Sequence, residues 1–123
     1  MKDYKDLISW QKSMVLATDV YQLTKQFPKE ETYGLVSQLR RAAVSIASNI
    51  AEGYGRESTS EYIRFLKIAR GSLYETETQL YLSQKLQYVT QNDIIPILSL
   101  CTEIGRMLNT MLRRLSTPKN EIE

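Results

Sequence analysis

The sequence predicts an all-α protein: an antiparallel, up-down four-helix bundle. Three observations predict it. Apolar residues recur at steps of three and four along four successive stretches, the period of a helix and not of a strand. The five glycines and three prolines sit mostly where breaks are wanted. The intervening loops are short, which sets neighbouring helices antiparallel. The 123 residues, 42% hydrophobic and 24% charged, suit one core rather than two domains or a disordered chain. The bundle is assigned to residues 1–117, and residues 118–123 to a flexible polar tail.

The first helix is expected from Asp6 to Phe27. Leu7, Trp10, Met14, Ala17, Tyr21 and Thr24 form its main face, widened by Leu16, Val20, Leu23 and Phe27. Pro28 closes it, because the residue before a proline is disfavoured in helix. The second helix is expected from Glu31 to Glu52 on the stripe Leu35, Leu39, Ala43, Ile46 and Ile50, with Gly53 and Gly55 as the break. Ser58 and Glu61 have the spacing of a capping box for the third helix. That helix buries Tyr62, Leu66, Ala69, Leu73 and Leu80 and runs to Leu86. Thr90 and Asp93 cap the fourth, which runs to Leu115 through Ile94, Leu98, Cys101, Leu108 and Leu112. Pro96 removes one backbone hydrogen bond, so a bend or a later start is expected.

The residues advertise no chemistry. There is one cysteine, Cys101, on an apolar stripe, and no histidine to activate it or to ligate a metal. Glu75 and Glu77 are two apart and point to different sides of a helix. The Gly53–Arg56 segment follows a helix rather than a strand, so it reads as a tight turn and not a phosphate loop. No cofactor, no metal site and no enzyme activity are expected. No apolar run reaches the roughly 18 residues of a membrane span, and the default expectation is a cytoplasmic protein.

Several stripes lie outside the core. Gln38, Arg41, Ser45, Asn49 and Glu52 form a polar flank on the second helix, read as a hydrogen-bonded boundary layer or else as a subunit interface or partner site. Opposite it lie Arg40, Val44, Ala47 and Ala51, where the small residues would let another helix approach closely. The third helix carries Ile63, Arg70, Tyr74, Tyr81 and Tyr88, with the tyrosines spaced by seven. Tyrosine is enriched at interfaces because it joins apolar area to a polar tip. Tyr74, Tyr81, Tyr88, Ile63, Val44 and Ala47 are therefore the candidate oligomer interface. The net charge is only +2, but Arg40, Arg41, Arg56, Arg64, Lys67 and Arg70 gather in the middle of the chain, with Arg106, Arg113 and Arg114 as a second group.

The run YGLVSQLRRAAVSIASNIAEGYGR, Tyr33 to Arg56, followed by EYIRFLKIARGSLYETETQL, Glu61 to Leu80, resembles the four-helix bundle family of 23S rRNA intervening-sequence proteins. The resemblance extends from about Leu7 to Leu115. It implies a small bacterial bundle. It also relates the chain to accessory variability determinants of diversity-generating retroelements, which are homopentameric barrels that bind nucleic acid and associate with a reverse transcriptase. The resemblance thus implies a pentameric barrel, an RNA or DNA partner, and a reverse transcriptase or another protein partner. Those relatives are strongly basic and this chain is not. The expected function is a non-catalytic homo-oligomeric accessory protein that binds nucleic acid through Arg40, Arg41, Arg56, Arg64, Lys67 and Arg70. The alternative is a protein-interaction scaffold.

Overall fold

The computed structural model describes residues 2–117, so the predicted tail at 118–123 lies outside the described residues. Four helices account for most of them: α1 (Ile8–Thr24), α2 (Leu35–Gly55), α3 (Thr59–Lys85) and α4 (Gln91–Ser116). Short 3-10 turns precede α1 at Tyr4–Asp6 and α2 at Lys29–Glu31. No strand occurs among the described residues. Each helix packs on the helices before and after it in a closed square, with α1 also against α4 and no contact between α1 and α3. Cross-helix pairs show the direction. Gln38 meets Gln79, Ser45 meets Ser72 and Gly53 meets Phe65, so one index rises as the other falls and α2 runs antiparallel to α3.

The predicted stripes of α2, α3 and α4 are buried as read, with Tyr62 and Leu98 half-covered at the margin. Cys101 is fully buried. The first helix departs from its predicted main face. Leu16, Val20, Leu23 and Phe27 form its core side, while Met14 and Tyr21 are 45% and 43% exposed. Buried beside that core side are Ser9, Ser13 and Thr24. A hydroxyl can sit there because the helix itself satisfies it: Ser13 donates to the Ser9 carbonyl at 2.7 Å and Thr24 to that of Val20 at 2.8 Å. These three small residues turn α1 so that Met14 and Tyr21 face a groove rather than the core.

The helix ends correct other expectations. α2 starts at Leu35, not Glu31, and continues through Gly53 to Gly55. The turn into α3 is made instead by Glu57, whose φ is 57°. Ser58 accepts from the Glu61 amide at 3.4 Å, but the reciprocal half of the box is missing because Glu61 pairs with Arg64. The box at Thr90 and Asp93 is complete, at 3.1 and 2.9 Å. α4 begins at that cap and runs through Pro96, so the later start is not found. The carbonyl that Pro96 leaves without a partner belongs to Asn92, on an exposed residue open to water.

The start of α2 is held by Glu31. Its carboxylate accepts from the Leu35 amide at 2.9 Å and from the Tyr88 hydroxyl at 2.7 Å. Gly34 makes this possible, since a Cβ there would lie 2.6 Å from the Glu31 Oε1. The Leu35 amide first, and then Tyr88, hold the Glu31 carboxyl below the usual carboxylate range. A depressed folded value means the contribution is present above the unfolded value and is lost as pH falls through the folded one. Acidification below the ordinary carboxylate range should therefore free Tyr88 and fray the start of α2. Glu31→Gln should remove that acid step from a tyrosine NMR titration, and an unchanged step would contradict the assignment.

Candidate nucleic-acid interface

The six cations singled out in the sequence do not form one surface. Arg40 is a bolt between α1 and α2: its Nε donates to Thr24 Oγ1 at 2.8 Å, and its guanidinium lies 4.4 Å from the centre of the Tyr21 ring. Arg56 pairs with Glu52 at 3.1 Å, and Arg64 grips Glu61 at 3.0 and 3.2 Å. Both guanidiniums lie over the Phe65 ring, at 4.9 and 4.5 Å. These three are engaged within the fold. Arg41 is exposed and borders the α1/α2 groove. Only Lys67 and Arg70 share a place.

That place is the seam between α3 and α4. Arg70 Nη1 donates to Asn109 Oδ1 at 3.0 Å, which sets the two helices in register. Lys67 lies one turn before Arg70. Arg106 and Arg113 lie three residues before and four after Asn109, so they share its face of α4. Lys67, Arg106 and Arg113 are exposed and Arg70 is half-covered. None of the four forms an ion pair among the described residues. Glu77 lies two turns beyond Arg70 on α3, and burial raises its carboxyl above the usual range. Arg114 carries the positive charge onward, lining a groove with Arg106, Ile8, Met107 and Met111.

Arg113 and Arg114 occupy the last turn of α4, where cations are favoured by the helix end alone. Lys67 and Arg106 sit in mid-helix and have no such reason. The sequence showed both groups, yet their union depends on the antiparallel register of α3 and α4. No local signal in the chain reports it.

The candidate interface residues also separate. Val44, 41% exposed, and buried Ala47 line the groove between α1 and α2. Tyr74 and Tyr81, 50% and 53% exposed, stand on α3 at the opposite corner from α1. Ile63 is half-buried against the core. Tyr88 is not on the band: α3 ends at Lys85, Gln87 turns the chain at φ 65°, and Tyr88 folds back onto Phe27 with ring centres 5.5 Å apart. The polar flank of α2 resolves as a boundary layer at three of its positions. Ser45 and Ser72 share a hydrogen bond at 2.9 Å, Asn49 donates to Ser45 Oγ at 2.9 Å, and Gln79 reaches Gln38 at 3.4 Å.

Burial, and next the charge of Glu77, push the Cys101 thiol up to about 12. Its thiolate is a trace species at neutral pH. Among the described residues no group of three or more Cys, Asp or Glu is placed to hold a metal ion. No described helix is long and apolar enough to cross a membrane.

The sequence profile described as 23S rRNA-intervening sequence protein matches residues 5–110. No curated protein matches the chain. Among solved structures, a protein of unknown function from the S23 ribosomal protein family of Bacteroides thetaiotaomicron is similar at 26% identity and a TM-score of 0.77. The match covers 85% of this chain and 98% of that one.

Proposed function

The chain belongs to the 23S rRNA-intervening sequence protein family, and on that premise we propose that it is a non-catalytic homo-oligomer that binds structured RNA or DNA through the α3/α4 seam. The observation that carries this reading is the set Lys67, Arg70, Arg106 and Arg113, gathered from two helices and without ion pairs among the described residues. Cations that neutralise phosphates release counterions, which drives association without base recognition. One copy has a net charge of only +2. Several copies would repeat the seam and multiply a modest affinity. Buried Cys101, with its raised thiol, supports the non-catalytic part.

The test is binding to duplex DNA and to structured RNA across a salt series. Arg106→Glu with Arg113→Glu should weaken both by at least about tenfold at low salt and flatten the log–log salt slope by about two. Arg56→Gln with Arg64→Gln should change binding little, because those cations are already paired. If the unaltered protein binds neither ligand at low salt, the reading fails. A partner protein that survives nuclease treatment would then favour the scaffold alternative.

A further inference from the structure

We propose that the α3/α4 seam takes an unpaired nucleic-acid strand, with phosphates on its cations and bases stacked on Tyr74 and Tyr81. This rests on the nucleic-acid reading above. It deepens that reading by naming single-stranded RNA or DNA as the ligand class and the two tyrosines as its base platform. Lys67, Arg70, Tyr74, Tyr81 and Lys85 follow one another along α3 at steps of three, four, seven and four, so they share one face. The strip is about 27 Å long at helical rise. α4 runs beside it: Arg70 bonds Asn109 at 3.0 Å, and a Cβ on Gly105 would stand 3.4 Å from the Leu73 Cδ2. That antiparallel register puts Arg106 level with the turn between Arg70 and Tyr74, and carries Arg113 to the Lys67 end.

Two observations select an unpaired strand. The first is that the two rings are open. Tyr74 and Tyr81 are 50% and 53% exposed, and among the described residues no other ring or cation lies against either. The other aromatic rings, Tyr33 apart, each meet a ring or a cation of their own chain. The second is the order of the groups. Lys67, Arg70 and Arg106 come before Tyr74 and Lys85 follows Tyr81, none of them in an ion pair among the described residues. Phosphates can therefore be held at both ends of a stretch whose bases turn onto the rings. A cationic track with exposed aromatic faces holds a single strand whatever its sequence, because every base has a π-face. A duplex cannot use the tyrosines, since its base faces are stacked inside and only base edges reach the grooves. Glu77 is the one carboxylate on the strip. It is half-buried between the two tyrosines, near Cys101, so bases and not phosphates would cross that point. Glu75 accepts instead from Gln79, at 3.1 Å.

The test is fluorescence anisotropy at low salt, with a labelled single strand of about 12 nucleotides and the duplex made from it, as DNA and as RNA. The unaltered protein should bind the single strand more tightly than the duplex. Tyr74→Ala with Tyr81→Ala should weaken the single strand at least about tenfold and leave the duplex within about twofold. The salt slope should not change, because no cation is lost. Tyr74→Phe with Tyr81→Phe keeps both rings and should bind as the unaltered protein does. Both positions are exposed on a helix and alanine is the better helix former, so the alanine pair should stay folded by circular dichroism. An alanine pair that binds the single strand unchanged, or that loses strand and duplex alike, would overturn the base platform. The seam reading would then stand or fall on Arg106→Glu with Arg113→Glu. A lower mass of the alanine pair in light scattering would assign the tyrosines to a contact between copies and would overturn the platform too. If the unaltered protein binds neither probe, both readings fail.

Discussion

Leu73→Ala is expected to lower the unfolding free energy by about 3–4 kcal/mol, within the range for a fully buried leucine. Leu73 is 1% exposed and projects from α3 toward α4. It fills the space above Gly105, where a Cβ would stand 3.4 Å from its Cδ2. The cavity cannot easily collapse, because Arg70 and Asn109 tie the same two helices nearby. The cost therefore includes a void as well as lost apolar transfer. Urea unfolding should show a lower midpoint with an unchanged slope. Adding Gly105→Ala should recover about 1 kcal/mol, from helix propensity and partial refilling. A loss below about 1 kcal/mol for Leu73→Ala would mean that α3 and α4 close the gap, contrary to this packing.

Gly53→Ala should destabilise by about 1–3 kcal/mol, although alanine is the better helix former. Gly53 is buried within α2 at the crossing with α3. A Cβ there would lie 2.7 Å from the Phe65 Cβ and 3.2 Å from the Tyr62 ring. The Phe65 Cβ is fixed to its backbone and cannot swing aside, so the helices would have to part. Parting them would also disturb the Phe65 ring that carries both Arg56 and Arg64. Thermal unfolding provides the measurement, with Gly55→Ala as control, since a Cβ on Gly55 meets nothing within 4 Å. Equal midpoints for the two variants would show that the helices do not approach as closely as described.

Gly53 also marks where reading the chain stops being enough. A glycine after an apolar stripe has two physical uses, to end a helix or to let a second helix come close. Only the second depends on a residue, Phe65, that is distant in order. Ser9 and Ser13 make a related case. Both are polar, but Ser13 satisfies its hydroxyl on its own helix and Ser9 donates to Met111 Sδ on α4 at 3.4 Å, so packing was free to bury them and expose Met14 and Tyr21. Tyr88 kept the seven-residue spacing of Tyr74 and Tyr81, yet α3 ended three residues earlier.

By itself the chain determined the helices of the bundle, three of its four core stripes and the capping box at Thr90. Periodicity and caps are local, and 3.6-residue geometry turns them into faces without knowledge of any neighbour. Tertiary structure alone decided which charges meet. Lys67 and Arg70 became a seam with Arg106 and Arg113, while Arg40, Arg56 and Arg64 were taken up by Tyr21, Glu52 and Glu61. The physical reason is that a surface charge has no hydrophobic stripe to orient it. Its partners are set by the register of two antiparallel helices, and that register comes from core packing.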